Sequence, residues 1–357
     1  MILPIRILTV VMAAAVPLPA APLDLRLPTE NQHLFSNEPE RFYMYVDRNF
    51  EGQATRPWQA GSFGFVRTAI RVGDQMLLTK FHEGIDISPI KRDALGNPLD
   101  LVSSIADGRV AYVSPLAVRS NYGKYVVVEH QWENSAIYSL YAHLAEITCV
   151  PGDVVKAGSL LGRMGFTGAG IDRTRAHVHL ELAMMTSRNY DAWSISNGKG
   201  VNFHGLYNGM NLIGSDVARF FLEHQAKPEL KFSEFILSST AHFKVTIPTR
   251  GLPDFAKRHP WIVRPGAENP SSWEISFTAT GMPLAFTPSG KQVAAPTLTS
   301  IRPSTVPQRY LTRNLVSGEG NAAVLTKSGL QLIALLTDDF STITPSHTAT
   351  PDDPQDP

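Results

Sequence analysis

The sequence predicts a mainly β fold, in which a compact antiparallel β-sandwich or barrel-like domain is followed by a smaller α+β region. From Gly61 onward, short β-rich stretches alternate with turn residues. Glycines punctuate the chain between Gly152 and Gly165, and no helical period interrupts it before Met185. Strands at such close spacing are typical of antiparallel all-β architectures.

Individual strands are predicted where apolar and β-branched residues alternate between turn signals. We expect strands at 63–70 and 76–80, followed by a hairpin over 101–113 with its turn at Asp107 and Gly108. Residues 125–130 and 136–144 predict a second strand pair. Further strands are expected within 154–164 and 176–185.

The remaining segments differ in composition from this central part. Ser215 is the predicted N-cap of a helix that reaches Ala226. Residues 329–336 are compatible with a strand or a helix. The predicted organisation is an export signal at 1–21, an irregular lead-in at 22–60, the β-domain at 61–190, a linker at 191–214, a C-terminal α+β domain of unknown role at 215–340 and a disordered tail at 341–357.

Length and charge narrow the possible functions. A chain of 357 residues can hold more than one domain. Its 32 Lys and Arg residues balance 32 Asp and Glu residues, so the overall charge gives no support for a nucleic acid or an anionic membrane surface as partner. Cys149 is the only cysteine, which excludes an intrachain disulfide, and we expect it to be a packing residue.

The N-terminus has the pattern of an export signal. Arg6 is its only charge, an apolar run covers 7–16, and the small residues Ala20 and Ala21 follow. A transmembrane helix needs about 20 apolar residues, and this run is shorter. An uncleaved anchor or a buried helix are the alternatives. We expect an exported protein, periplasmic, in the cell envelope or extracellular, without stable membrane insertion after signal removal.

Strand alternation presents several histidines on polar faces. Successive side chains of a strand point to opposite faces. In 176–182, the side chains that share the polar face are those of His177, His179 and Glu181. In 138–144, the same rule groups Ser139, Tyr141 and His143. A third histidine is therefore expected from a neighbouring strand.

The residue types fit a metal site. Zinc favours imidazole nitrogen and carboxylate oxygen, and a catalytic zinc keeps three protein ligands so that the fourth position can hold water. His82 and Asp86 lie four residues apart with Gly84 between them. One histidine of the His177 and His179 pair would complete the set. On residue chemistry alone, a metal site and a non-catalytic β-domain that contains histidines are both compatible with these patterns.

The order of the motifs resembles that of the lysostaphin/LytM-type zinc metallopeptidases, which are cell-wall endopeptidases. The resemblance covers about 61–185. The segment His82–Asp86 is similar to the first metal motif of that family, and Tyr141–Leu144 is similar to its first catalytic-histidine motif. The other similar segments are 107–110, 122–130, 152–158, 162–168 and the closing motif His177–Glu181.

The resemblance implies a role for each of five residues. His82, Asp86 and His179 would bind one Zn²⁺ per chain, while His143 and His177 would act on the substrate and the metal-bound water. It implies an exported zinc metalloendopeptidase that hydrolyses amide bonds in peptidoglycan peptides with metal-activated water. The alternatives are a non-catalytic cell-wall-binding or regulatory protein that retains the fold, or a peptidase that acts on non-wall peptides.

Two segments depart from the family pattern. Residues 89–101 are longer than the usual connection, and 169–176 replaces a run of small residues and introduces Arg173 and Arg175. Some family members carry a tyrosine shortly before the first metal histidine, and 75–81 has none. The departures spare every proposed ligand, but they leave the substrate preference open.

Overall fold

A computed structural model describes residues 22–55, 57–199 and 202–340, so the predicted export signal at 1–21 and the predicted tail at 341–357 lie outside the described residues. The described chain is mainly β, and every pairing between its strands is antiparallel. The predicted fold class is confirmed.

The lead-in is irregular with short elements. Its elements are α1 (Pro39–Phe42), β1 (Arg48–Phe50) and β2 (Gln53–Thr55), and the two strands pair with each other. Next come β3 (Gly64–Val72) and β4 (Gln75–His82), which form a hairpin and match the strands expected at 63–70 and 76–80. This hairpin ends on His82.

Two sheets form the central sandwich. Its elements in chain order are β5 (Ile85–Ile87), β6 (Leu101–Ser103), β7 (Gly108–Ser114), β8 (Tyr125–Trp132), β9 (Ser135–Ala142), β10 (Leu144–Ile147), β11 (Val154–Val155), β12 (Leu160–Met164), β13 (Val178–Met185), α2 (Tyr190–Ser196) and β14 (Leu212–Gly214). The larger sheet has the order β11-β7-β8-β9-β13-β14, with β5 also paired to β13. The smaller sheet has the order β10-β12-β6.

The predicted hairpin over 101–113 is wrong, whereas the second predicted pair is confirmed. Strand β6 pairs with β12 in the smaller sheet, and β7 pairs with β8 and β11 in the larger one. The chain crosses between the sheets at Ile105, which is fully buried and whose N–H donates to the Tyr141 hydroxyl. Strands β8 and β9 do pair, through Glu133 and Asn134, which both have positive φ as a two-residue hairpin turn requires.

The hydrophobic core lies between the two sheets. Val102, Leu161 and Met164 of the smaller sheet are buried in the same cluster as Val126 and Leu180 of the larger one. Phenylalanines of the C-terminal region, including Phe220, Phe235 and Phe277, belong to the same cluster. Burial of this apolar surface joins the central and C-terminal parts around one continuous core.

The segment expected as a linker, 191–214, holds ordered elements. Helix α2 begins it, and β14 ends it by pairing with β13. Between them, Leu206 and Tyr207 pack on the face of the larger sheet that carries Leu140 and Met185. The sequence signal was misleading because Asn, Gly and Ser here form turns that fold the chain back over the sheet.

Helix α3 (Val217–Ala226) begins one residue later than expected. Its N-cap is Asp216, whose carboxylate accepts from the Arg219 N–H at 3.1 Å. Ser215, the predicted cap, instead donates its hydroxyl to the Leu182 carbonyl at 2.7 Å. That bond fixes Ser215 to β13, so the helix can start only after it.

The C-terminal region has α+β character, as expected. Its further elements are α4 (Phe232–Leu237), β15 (Phe243–Pro248), α5 (Asp254–Arg258), β16 (Ser272–Phe277), β17 (Pro283–Ser289), β18 (Thr297–Ile301), α6 (Gln308–Leu311), β19 (Val316–Ser317), β20 (Val324–Leu325) and α7 (Lys327–Thr337). A four-stranded sheet has the order β17-β16-β15-β18. No helix in the described part of the chain is long and apolar enough to cross a bilayer. The domain boundaries given above stay a prediction.

Candidate metal centre and cleft

Three of the predicted site residues place donor atoms together. His82 Nε2 lies 3.1 Å from Asp86 Oδ1 and 3.0 Å from His179 Nδ1. His179 Nδ1 lies 2.9 Å from the same Asp86 oxygen. The three side chains are buried, and their donor atoms lie within 4.8 Å of one another, so they could hold one metal ion.

Strand pairing and one glycine produce this geometry. His82 ends β4, and Asp86 in β5 is the registered partner of His179 in β13. The chain between them must pass close to β13 at Gly84. A Cβ at this position would lie 2.3 Å from the Leu180 carbonyl oxygen, so only glycine lets the segments that carry Asp86 and His179 approach each other.

The two other predicted residues lie beside this centre. His177 Nε2 is 3.3 Å from Asp86 Oδ1. The His143 ring centroid is 4.6 Å from that of His177 and 5.9 Å from that of His179. The structure therefore brings all five predicted site residues into one buried cluster.

Each of the four imidazoles is fixed by an oxygen at one ring nitrogen. The partners are the Ser62 carbonyl for His82 Nδ1 at 2.8 Å, the Thr167 carbonyl for His143 Nδ1 at 2.8 Å, the Arg175 carbonyl for His177 Nδ1 at 2.6 Å and the Glu181 carboxylate for His179 Nε2 at 3.0 Å. An oxygen acceptor requires the proton on the nitrogen that faces it. In each neutral ring the opposite nitrogen then keeps its lone pair for a metal or a proton.

His143 reaches the cluster by a route that alternation does not predict. Tyr141, expected on the same face as His143, points into the core, where its hydroxyl also accepts a hydrogen bond from Ser139. The predicted grouping is therefore wrong for His143, whereas Ser139 and Tyr141 do share a face. Strand β9 ends at Ala142, and His143 has a φ of 63°, which reverses its side chain toward the site. Its N–H donates to the Tyr122 carbonyl at 2.9 Å, which holds that conformation.

The electrostatics of the cluster favour a cation at its centre. Burial opposes ionisation of Asp86, but electrostatic interactions and hydrogen bonds with the surrounding imidazoles, those of His82 and His177 first, outweigh it and hold the pKa of the carboxyl well below its usual value. Burial lowers the pKa of His179, but hydrogen bonds to Asp86 and Glu181 outweigh that effect and raise it to about 9. Two buried carboxylates next to one imidazole are thus stabilised by a positive charge, which either a proton or a metal ion can supply.

His143 is biased in the opposite direction. Burial, followed by the neighbouring charges of His177 and His179, lowers the pKa of His143 well below its usual value. Burial likewise lowers the pKa of His82. Both rings are held neutral, which suits His82 as a ligand and His143 as a proton acceptor.

Three residues around the centre were not identified from the sequence. Tyr122 donates its hydroxyl to Glu181 Oε1 at 2.5 Å, and Arg67 pairs with Asp86 Oδ2. Alternation placed Glu181 on the face of His179, so a signal for Glu181 existed. Tyr122 and Arg67 come from separate segments without a distinguishing pattern, so their positions became evident only from the fold.

A cleft of about 1100 Å³ opens over the cluster. Its lining includes the five predicted residues together with Thr280, Arg313 and residues of α7. Arg313 crosses to the metal side, where its Nη2 is 2.6 Å from Glu83 Oε1 and its guanidinium carbon is 4.4 Å from the centre of the Phe81 ring. The C-terminal region therefore contributes directly to the cleft.

Comparison with known proteins shows which family this part of the chain is similar to. Residues 80–192 match the family described as Peptidase family M23. The part of the chain that carries the cluster is therefore similar to M23 peptidases, and the predicted resemblance to lysostaphin/LytM-type metallopeptidases is confirmed. A comparison with curated proteins gives no match.

Solved structures of such peptidases are similar to parts of the chain. A variant of the catalytic domain of the prophage-encoded M23 protein EnpA from Enterococcus faecalis is 24% identical, over 39% of this chain and 81% of that chain, with a TM-score of 0.25. The catalytic domain of the antimicrobial peptidase lysostaphin from Staphylococcus simulans is 16% identical, over 54% and 98%, with a TM-score of 0.29. A zinc-containing peptidase from Vibrio cholerae is 25% identical, over 40% of this chain and only 36% of that chain, with a TM-score of 0.25.

Proposed function

We propose that this chain is an exported zinc metalloendopeptidase that hydrolyses amide bonds in peptidoglycan peptides. The observation that carries the proposal is the convergence of His82 Nε2, Asp86 Oδ1 and His179 Nδ1 within 4.8 Å. The match of residues 80–192 to a peptidase family supports the reaction class. Peptidoglycan as substrate and export both follow from the family resemblance and from the N-terminal sequence pattern.

The donor set fits one zinc ion. Two imidazole nitrogens and one carboxylate oxygen are a common catalytic zinc set, which leaves a coordination position open. Glu181 holds His179 with Nδ1 toward the centre, and Arg67 binds the Asp86 oxygen that is not shared with the histidines. When bound, zinc would lower the pKa of a water molecule to about 7 and polarise the scissile carbonyl.

His143 and His177 are the proposed catalytic residues. Each donates Nδ1–H to a backbone carbonyl, so Nε2 is the nitrogen that exchanges protons. Burial keeps His143 neutral, which suits it to accept the proton of the attacking water. The proton then passes to the leaving amine, and the proximity of the two rings lets them share these steps.

Zinc analysis and peptidoglycan hydrolysis test the proposal together. We expect one zinc per purified chain, release of new amino groups from peptidoglycan, and loss of that release with a chelator. His179→Ala should lose both zinc and activity, whereas His143→Ala should retain zinc and lose turnover. Zinc retained at full stoichiometry in His179→Ala would overturn the ligand assignment.

The same experiment separates the alternatives. A zinc-loaded protein that binds sacculi without releasing amino groups would be a cell-wall-binding or regulatory protein. Cleavage of unrelated peptides at equal or higher kcat/KM than peptidoglycan peptides would identify a peptidase with non-wall substrates.

A further inference from the structure

The cleft is lined by more cationic than acidic side chains. Its cationic residues are Arg67, Lys80, Arg119, Arg175, Lys199 and Arg313. Its acidic residues are Glu83, Asp86 and Glu181. A cleft with this imbalance concentrates anionic ligands, because its walls limit the solvent that would otherwise screen the charges.

The acidic residues of the cleft are already engaged by other partners. Glu83 pairs with Arg313, and Asp86 pairs with Arg67. Glu181 accepts hydrogen bonds from Tyr122 and from His179. None of these three carboxylates pairs with Arg175.

Arg175 has unused hydrogen-bonding capacity within this cleft. Its Nη1 donates to the Gly170 carbonyl at 2.6 Å. Its Nε is buried and has no hydrogen-bond partner among the residues that the structure describes. Arg175 lines the cleft, so the N–H groups of its terminal nitrogens can donate to a bound carboxylate.

Other guanidinium groups lie close to Arg175. Burial, followed by the charges of Arg67 and Arg175, lowers the pKa of Arg48. Arg48 is thus within electrostatic range of both guanidinium groups. A bound anion would offset this repulsion, and arginine is suited to carboxylates because its planar fork donates two parallel hydrogen bonds.

We propose that Arg175 binds a substrate carboxylate, so that this peptidase favours peptides with a free carboxylate near the scissile amide. The proposal rests on the proposed function and specifies its substrate class. Arg175 and the proposed catalytic residue His177 both line the cleft, and the Arg175 carbonyl accepts from His177 Nδ1 at 2.6 Å. Arg175 belongs to the segment 169–176, which departs from the family pattern.

The test compares two soluble peptidoglycan peptides that differ only in having free carboxylates or carboxamides. For the zinc-loaded full chain we expect kcat/KM to favour the free acid by about tenfold or more, as for other hydrogen bonds to charged groups. Arg175→Gln should remove most of this preference. Arg175→Lys should restore it in part, because the charge returns without the planar fork.

Arg173→Gln is the matched control. Arg173 lies in the same loop, and its Nη1 donates to the Leu95 carbonyl at 2.7 Å, outside the cleft lining. This variant removes the same charge and should retain the acid preference. An equal acid-to-amide ratio in wild type and Arg175→Gln, with zinc content unchanged, would overturn the proposal, as would the same loss in Arg173→Gln.

A binding measurement tests the carboxylate subsite independently of whether the protein is an active peptidase. The zinc-loaded His143→Ala protein is titrated calorimetrically with the same two peptides. Tighter binding of the acid, lost on adding Arg175→Gln, supports the carboxylate subsite even if no peptide is hydrolysed. Equal binding of acid and amide rejects the subsite, and it does so whether or not the wild type is an active peptidase.

Discussion

Tyr122 Oη lies 2.5 Å from Glu181 Oε1, and that same carboxylate oxygen accepts from His179 Nε2 at 3.0 Å. Burial, followed by the charge of Glu181, raises the pKa of the Tyr122 phenol well above its usual value, so the phenol is the donor at neutral pH. A residue outside the metal motif thus fixes the carboxylate that orients a proposed metal ligand. Partners of this kind set ligand orientation and basicity in metal sites.

Tyr122→Phe should therefore weaken zinc binding. Loss of such an outer partner typically costs about 10- to 100-fold in metal affinity. Competition with a chromophoric chelator measures the zinc Kd, and circular dichroism verifies the fold. Tyr125→Phe is the matched control, because the Tyr125 hydroxyl contacts the Tyr207 carbonyl and His204 instead of Glu181. Equal zinc affinity in wild type and Tyr122→Phe would contradict this role.

The contact between Arg313 and Glu83 predicts a measurable coupling between the C-terminal region and the metal motif. Both side chains are about a quarter to a third exposed, at 27% and 30%, so solvent screening limits the pair to about 1 kcal/mol. Arg313→Gln and Glu83→Gln should each lower the free energy of unfolding by about that amount. The double variant should lose less than the sum of the two.

Urea denaturation of the four proteins gives the coupling free energy directly. Arg309→Gln is a suitable control, because Arg309 contacts the neighbouring Tyr310 ring and hydroxyl. Strictly additive effects of Arg313→Gln and Glu83→Gln would show that the pair contributes nothing to stability.

Gly84→Ala should disrupt the metal centre. The added methyl group would lie 2.3 Å from the Leu180 carbonyl oxygen and 2.9 Å from Glu181 Cγ, so β5 and β13 must separate. Overpacking of this kind costs about 1–3 kcal/mol of stability, and the shift of Asp86 should also reduce zinc affinity. Gly290→Ala is the control, because a Cβ there meets no atom within 4 Å. Unchanged melting temperature and zinc affinity in Gly84→Ala would rule out the close approach.

His259 predicts acid sensitivity of the fold outside the metal site. Its ring is fully buried, and neither nitrogen has a hydrogen-bond partner among the described residues. Burial, followed by the charges of Arg258 and Arg188, lowers the pKa of His259 from 6.5 to about 3. The unfolded chain therefore binds more protons between these values, and stability is full above about pH 6.5 and falls as pH drops toward 3.

His259→Phe should remove this dependence. Protonation of His259 should lower the free energy of unfolding of the wild type by about 1.4 kcal/mol per pH unit. The stability of the variant relative to the wild type should therefore rise as the solution is acidified. Denaturation curves of both proteins at several pH values, with the chelator present throughout, measure the difference. The contributions of the other histidines to stability are common to both proteins, so they cancel in the comparison. Parallel stability curves for the two proteins would disprove the assignment.

Local patterns in the sequence indicated the residues that the structure gathers in one cluster, whereas the choice of His179 as a metal ligand came from the family resemblance. The spacing of His82 and Asp86 and the alternation of His177 and His179 depend only on neighbours in the chain. The strand pair β8 and β9 was predictable for the same reason. Long-range contacts were not predictable, because Arg313 meets Glu83 across 230 positions and Tyr122 meets Glu181 across 59.

Two errors have identifiable causes. The alternation rule failed at His143 because one left-handed residue reverses the side chain after β9 ends. The prediction of a hairpin over 101–113 was wrong because the chain crosses between the sheets at the buried Ile105. Asp107 and Gly108 are typical turn residues, so the sequence pattern indicated a hairpin turn instead. Neither a single φ angle nor a choice of sheet is encoded in the period of apolar residues.

The packing of Leu206 and Tyr207 on the larger sheet affects how a minimal catalytic fragment should be cut. The family match ends at residue 192, and a fragment ending there would keep all five predicted site residues. It would also lose β14 and uncover an apolar face that includes Leu140 and Met185. Exposed apolar strands of this kind promote self-association. We therefore expect that a soluble fragment has to extend beyond Gly214.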